Sequence, residues 1–276
     1  MNSHLRKSCF ACLAMLVLAA PSNALAQHAV EVLSYDSGST PASGFTSSSA
    51  ALGIPERDTG EGVFPGEVTL FNPPWLDSEI VSIGEGGFLE LRLSNYVLAD
   101  PTGPELGVFT NVGFIDVDFP NGQIGSPPGI FGADSAEVSV SEDGLTWFNL
   151  GEILFDLPTQ GYADTSGTIP LDFQQPFTGV LADFAGLPFE NAVNPDALEL
   201  LAGSGGGTWL DISGAPFSQI GYVRFAVADD LDSNTSLNFE LDGVSISTSA
   251  MGGPVPEPGT CLLLAGALSM ASFRRR

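Results

Sequence analysis

Carboxylate and carboxamide side chains cluster at residues 229–234, which read Asp-Asp-Leu-Asp-Ser-Asn. Oxygen atoms at alternating positions of a loop suit calcium, because this hard cation takes six to eight oxygen ligands. Asp230, Asp232 and Asn234 are therefore the candidate metal ligands, and calcium is the candidate cofactor. The match to the helix-loop-helix calcium motif is poor, since Thr235 stands where that motif has Gly. A plain hydrated turn is the alternative.

The central part of the chain has few residues for nucleophilic catalysis. Residues 27–259 contain no Cys and no Lys, and His28 is their one histidine. We expect His28 to lie at a frayed chain end, where neither a catalytic triad nor a zinc site can be assembled. A carboxylate pair of the glycoside hydrolase kind is compatible with the composition, although the sequence does not identify the pair. The prediction is a protein that is not an enzyme, with a glycoside hydrolase as the second alternative.

Exposed aromatic rings are the usual platform for stacking sugar rings, and the chain has three tryptophans. Trp75 follows two prolines in a predicted loop and is the candidate for carbohydrate stacking. Trp147 and Trp209 lie in strand-like runs that are more typical of a core. A calcium-assisted carbohydrate-binding module, with extracellular polysaccharide as its partner, is therefore the first alternative function.

The charge of the central part restricts its partners. All thirty-three Asp and Glu lie within 27–259, where the only basic residues are three arginines, so this part carries a formal charge of −30. Such a charge repels phosphate backbones and anionic lipids, which excludes a nucleic-acid partner. It is compatible with divalent cations and with solubility outside the cell.

The N-terminal residues have the pattern of an export signal. Two basic residues precede an apolar run at 9–20, and Ala24 and Ala26 form a small-residue cleavage site. We therefore predict a signal peptide over 1–26 that signal peptidase removes, so that the mature protein begins near Gln27.

The last twenty-two residues combine three features in a fixed order. These are the tripeptide Pro256-Glu257-Pro258, an uncharged run at 260–273, and the arginines Arg274, Arg275 and Arg276. Fourteen residues make a helix about 21 Å long, which is short for a hydrocarbon core of roughly 30 Å. The arginines place the C-terminus in the cytoplasm and the body outside. The prolines keep Glu257 in an extended, accessible turn above the membrane. A plain membrane anchor is the alternative.

This order closely resembles the PEP-CTERM sorting signal of Gram-negative bacteria. The resemblance implies recognition by an exosortase, a membrane transpeptidase that cleaves near the tripeptide and transfers the body onward. It also implies an inner-membrane intermediate, held by the C-terminal helix with its body in the periplasm. The final location is then the cell surface or the extracellular space.

The body itself has the two-residue alternation of half-buried strands, interrupted by turn residues. The run 88–93 places three leucines on one face, the run 136–148 predicts a hairpin, and Gly243 predicts a bulge. A short helix is expected near 195–201, capped by Asn194. The pattern predicts an all-β, antiparallel two-sheet sandwich of the jelly-roll type.

Parts of the body are similar to secreted bacterial surface domains of the galactose-binding or discoidin class. The similarity is carried by runs such as 138–147, Val-Ser-Val-Ser-Glu-Asp-Gly-Leu-Thr-Trp, and 239–244, Phe-Glu-Leu-Asp-Gly-Val. It implies the fold rather than a ligand, because 106–111 lacks the acid that those proteins often carry there.

The sequence thus divides into four parts, which are a signal peptide at 1–26, a β-sandwich at 27–248, a linker at 249–254 and a sorting signal at 255–276. Together they predict an exported, exosortase-processed surface or extracellular-matrix protein. Its β-sandwich is expected to be non-catalytic and to have a structural or adhesive role.

Overall fold

The computed structural model describes residues 27–62, 66–99, 102–191, 195–229 and 237–257. Antiparallel strands dominate these ranges, and the single α-helix that they contain is five residues long. The strands are β1 Ala29–Asp36, β2 Val81–Gly84, β3 Phe88–Leu98, β4 Leu106–Thr110, β5 Gly113–Phe114, β6 Ile130–Phe131, β7 Asp134–Ser141, β8 Phe148–Phe155, β9 Thr208–Leu210, β10 Gln219–Ala226, β11 Asn238–Ile246 and β12 Met251–Pro254; the helix is α1 Ala197–Leu201.

Two antiparallel sheets pack face to face. The larger has the strand order β1-β3-β10-β7-β8, with β12 also paired to β3, and the smaller has the order β2-β11-β4-β9. Strands β5 and β6 form a separate two-stranded ribbon. The inner faces share one apolar core, to which both β3 and β11 contribute. The predicted all-β, two-sheet sandwich is thereby confirmed, whereas the finer jelly-roll resemblance stays a prediction.

Strand β3 shows how alternation builds this core. Leu89, Leu91 and Leu93 are fully buried, as the two-residue period requires. On the other face, Arg92 pairs with Glu31 of β1 at 2.6 Å between Nε and Oε2. Glu90 accepts from Arg224 of β10 in the same way. Apolar contacts therefore fill one face of the strand, while cross-strand ion pairs cover the other.

The predicted hairpin and bulge are both present. Strands β7 and β8 pair antiparallel, and Asp143 Oδ1 accepts hydrogen bonds from the backbone N–H groups of Leu145 and Thr146 in the connecting turn. The register of β11 against β4 shifts between Leu241 and Gly243, so Gly243 lies at the bulge.

Long connections build a second apolar cluster beside the sandwich. It contains Leu70, Phe114, Ile124, Leu157, Leu171, Phe177, Phe184, Ala197 and Leu201. Helix α1 belongs to this cluster, and its N-cap is Asp196, whose side chain accepts from the Glu199 N–H at 2.8 Å. The prediction of Asn194 as the cap was wrong because the helix begins at Ala197, three residues further on.

Residues at both ends of the described body are held by the sheets. The carbonyl of Gln27 accepts from Ile246 N–H at 2.8 Å, and that of His28 accepts from Ser94 N–H at 3.0 Å. The segment predicted as a linker, 249–254, lies in a 3-10 turn and in β12, which pairs with β3. The part of the chain that the structure describes has no helix with the length and apolarity needed to cross a membrane. The predicted signal peptide and the predicted tail helix fall outside it.

Candidate ligand-binding cleft

A surface cleft of about 780 Å³ lies among four irregular segments of the chain, beside the second apolar cluster. Five aromatic rings line it, and they are Phe71, Phe114, Phe119, Phe131 and Phe189. Polar side chains accompany them, namely Glu67, Thr69, Asn72, Asp116, Asn121, Gln160, Asp164, Thr165 and Glu190. Among the described lining residues there is neither Lys nor Arg. The cleft therefore combines aromatic surface with hydrogen-bonding groups and negative charge.

A projecting arm, residues 113–131, forms one side of the cleft. Its base is the β5–β6 ribbon, and further out the N–H of Ile115 donates to Gly129 O and that of Val117 donates to Gln123 O. This extended backbone turns alternate side chains outward, so Ile115 is 50% exposed, Val117 60% and Phe119 84%. Phe119 is thus an almost fully exposed aromatic ring that also lines the cleft.

Asp116 holds the tip of this arm together. Its carboxylate accepts backbone hydrogen bonds from Asp118 at 2.9 Å, Gly122 at 3.0 Å and Gln123 at 2.8 Å. Burial alone would raise the pKa of Asp116, but these three N–H donors outweigh it and the pKa is lowered. Asp116 therefore stays ionised and acts as a fixed acceptor for the loop.

The other rings are fixed by packing. Phe71 contacts Phe189 edge-to-face, with 5.9 Å between ring centroids. Glycines make room for two of the rings: a Cβ on Gly122 would lie 2.8 Å from Phe189 Cβ, and one on Gly113 would lie 2.4 Å from the Phe131 ring. The walls are therefore preformed, which lowers the entropy cost of binding a ligand.

Trp75, the residue predicted to stack on sugar, is exposed but does not line the cleft. It is 38% exposed, and its ring stacks on Phe131 with a centroid distance of 5.9 Å and an interplanar angle of 12°. Phe131 lines the cleft, whereas Trp75 is not among the lining residues. Trp75 thus contacts the aromatic surface of the cleft through Phe131.

The phenylalanines of the cleft were missed from the sequence. The alternation of Ile115, Val117 and Phe119 was a usable signal, but in a half-buried strand it predicts a core face. Only the pairing of 113–131 into a projecting arm turns this face toward solvent.

Asp164 organises the loop opposite the arm. Its carboxylate accepts from the hydroxyls of Ser166 and Thr168, each at 2.6 Å, and from the N–H of Ile169 at 2.7 Å. The side-chain donors, with the backbone donors, hold the pKa of Asp164 well below its usual range. Both cleft carboxyls with a shifted pKa are therefore strong fixed anions rather than proton donors.

His28 was predicted to lie at a frayed end, and this was wrong. It is buried, and its Nδ1 lies 2.9 Å from Ser245 Oγ. Burial, as the largest effect, lowers the pKa of His28 to about 4. Ser245 is also fully buried, so the pair has no face open to a substrate.

The remaining predicted site residues divide into two groups. Pro256 and Glu257 are exposed directly after buried Val255. The others lie outside the described residues: Ala24, Ala26, Asp230, Asp232, Asn234, Pro258, Arg274, Arg275 and Arg276. Within the described ranges, no three or more His, Cys, Asp or Glu side chains are grouped to hold a metal ion.

Residues 254–276 match the model of the PEP-CTERM protein-sorting motif. This match implies an exported protein that is targeted to exosortase for surface sorting. A comparison with curated proteins gives no match to the chain.

Proposed function

We propose that this exported protein is a non-catalytic adhesive module that binds extracellular polysaccharide in the aromatic cleft. The cleft carries the proposal, because it places several fixed phenylalanine rings beside carboxylate and carboxamide groups. The apolar faces of sugar rings pack on aromatic rings, while sugar hydroxyls donate to carboxylates and pair with amides. Sorting to the surface would present this cleft where such polymers occur.

The negative charge of the body limits which polysaccharides the cleft would bind. The body has a formal charge of −30, and the described cleft lining includes no basic side chain. A polymer rich in uronic acid or sulfate would be repelled, and its charges would find no partner in the cleft. The proposed ligand is therefore a polysaccharide without net negative charge.

Two of the four carboxyl groups that line the cleft are poorly suited to the acid step of hydrolysis. A glycoside hydrolase needs one carboxyl with a raised pKa to protonate the leaving oxygen. Asp116 and Asp164 have lowered pKa values and are engaged by several donors each. This supports the non-catalytic proposal over the glycoside hydrolase alternative.

The exposed ring of Phe119 offers a direct test. We expect Phe119→Ala to weaken binding to a neutral glucan about ten-fold, because a lost stacking contact costs about 1.4 kcal/mol. Isothermal titration with the full chain measures this. The matched control is Leu145→Ala, since Leu145 is 85% exposed, like Phe119 at 84%, but lies in the β7–β8 turn away from the cleft.

Three polymers complete the test: a neutral glucan, an amine-bearing glucosamine polymer and a uronic-acid polymer. Binding of either of the first two, lost in Phe119→Ala and kept in Leu145→Ala, supports the proposal. Preference for the uronic-acid polymer, or equal loss in both variants, would contradict it. Release of new reducing ends during incubation would show that the protein is a hydrolase instead.

A further inference from the structure

Two carboxyl groups outside the cleft repel each other, and no ion pair to either is present among the described residues. Asp134 opens β7 and Glu240 lies in β11, and both side chains are half-buried. Burial and then the charge of Glu240 raise the pKa of Asp134 to about 7. Burial also raises the pKa of Glu240, although a hydrogen bond from Asn111 opposes this. The arrangement is therefore costly for two anions alone.

None of the three arginines of the described body relieves this cost. Each is engaged elsewhere: Arg57 donates to the carbonyls of Gly161 and Leu171, Arg92 pairs with Glu31, and Arg224 pairs with Glu90. A third carboxyl, Asp242, is fully buried with a raised pKa, and its two oxygens share one backbone donor, the Glu56 N–H, at 3.1 Å. Glu240 accepts a hydrogen bond from the Asn111 side chain, whereas no hydrogen bond to the Asp134 carboxyl is present among the described residues.

Asn111 supplies a second observation at the same place. The side chain is 1% exposed, and its Nδ2 donates to Glu240 Oε2. Its Oδ1 is buried and has no hydrogen-bond partner among the described residues. That oxygen lies 3.3 Å, and the backbone oxygen of Asn111 lies 2.8 Å, from where a Cβ on Gly132 would sit. Gly132 is two residues before Asp134, so both oxygens face the turn that leads to it.

A buried oxygen without a donor needs an explanation, because leaving it unpaired costs free energy. A cation beside this oxygen would supply the missing partner. The same cation would offset the repulsion between the two carboxyl groups.

We propose that Asp134, Glu240 and Asn111 Oδ1 bind one calcium ion. The two carboxylates would neutralise a divalent cation, and the carboxamide adds a third oxygen. Backbone carbonyls and water would complete the six to eight ligands, since calcium tolerates irregular geometry. The oxygen-only ligand set disfavours zinc, which prefers nitrogen and sulfur. This site is distinct from the calcium ligands predicted at Asp230, Asp232 and Asn234.

Thermal unfolding of the full chain tests the proposal. After treatment with EDTA at about pH 8, addition of calcium to about a hundred times its Kd should raise the Tm by about 5–10 °C. The double variant Asp134→Asn/Glu240→Gln keeps the size of both side chains and removes both charges. We expect this variant to lose the calcium response and to melt no lower than the wild type in EDTA.

A matched control separates the two candidate calcium sites. The variant Asp230→Asn/Asp232→Asn removes the same number of charges from the other segment and should keep the full Tm shift. Loss of the shift in this control, with retention in Asp134→Asn/Glu240→Gln, would overturn the proposal. Absence of any shift in the wild type would also overturn it, because a pair that simply shares a proton gains nothing from calcium.

A third variant tests the proposal without relying on the double variant to fold. Asn111→Asp adds a carboxylate at the same position, so it should melt lower than the wild type in EDTA and show a larger rise with calcium. Titration calorimetry should give one calcium per wild-type chain that disappears when both carboxylates are replaced. A calcium response of Asn111→Asp that equals or falls below the wild-type response would contradict the role of Oδ1.

Discussion

His28 shows how burial changes the chemistry of one residue. Its ring is withdrawn from water beside Ser245, and burial lowers its pKa from 6.5 to about 4. The unfolded chain therefore takes up a proton at a higher pH than the folded chain. The contribution of neutral His28 to the free energy of unfolding is fully present above about pH 6.5, and it is lost as the pH falls toward 4.

We expect this effect to appear as a difference between the wild type and His28→Gln. Between about pH 7 and pH 4.5 the wild type should lose about 2 kcal/mol more of its free energy of unfolding than the variant. Urea unfolding at the two pH values measures both changes, and the shared carboxyl titrations cancel in the comparison. An equal loss of unfolding free energy in the two proteins would show that His28 does not titrate in this way.

At the scale of elements, strand β12 determines how the body is connected to the sorting motif. The strand pairs with β3, and Asn95 Nδ2 donates to Gly252 O at 3.1 Å. Val255 follows, 4% exposed, and its N–H donates to Ser94 O while its carbonyl accepts from Arg92 Nη1. The exposed Pro256 and Glu257 therefore project directly from a packed position, with no free tether between the two.

Val255 is accordingly a structural residue at the edge of the sorting motif. We expect Val255→Ala to lower the free energy of unfolding by about 1–2 kcal/mol, because it removes two buried methyl groups. Urea unfolding checks this against Glu257→Gln, which changes an exposed side chain two residues away and should stay within about 0.5 kcal/mol of the wild type. Equal effects of the two substitutions would mean that β12 detaches from β3 in solution.

The elements that alternation predicted and those that it missed differ in a physical way. The burial of the β3 leucines and the β7–β8 hairpin are both marked by local features, namely the two-residue period and the turn residues. The sequence of each segment was therefore sufficient to predict it. Strand β12 reads Met-Gly-Gly-Pro and has no such period, and it forms by pairing with β3, which is far away in the chain. The cleft was missed for a similar reason, since its walls come from segments that only the tertiary fold brings together.

At the scale of the whole molecule, the chain combines a negatively charged β-sandwich with a sorting motif at residues 254–276. The three arginines of the body are committed to ion pairs, carbonyls and aromatic faces. The surface is left strongly acidic, which favours solubility and repels other anionic polymers. The negative charge of the body is therefore consistent both with export and with the proposed binding of a polysaccharide without net negative charge.

The fold also indicates which residues of the sorting motif should be deleted in an experiment. Deleting 255–276 would remove the buried Val255, whereas deleting 258–276 leaves β12, Val255, Pro256 and Glu257 in place. We expect cells that make the shorter deletion to release a folded body, because the deletion removes the predicted membrane helix of the tail. Fractionation of membrane, periplasm and medium measures the outcome, with the full chain as reference.

The variant Glu257→Ala provides the matched control for this deletion. It changes one exposed side chain of the tripeptide and leaves the packed body and the apolar run of the tail unchanged. If an exosortase reads the tripeptide, this variant should accumulate uncut in the membrane fraction while the full chain is processed. Membrane retention of the 258–276 deletion at the level of the full chain, or normal processing of Glu257→Ala, would contradict this account of how the protein reaches the surface.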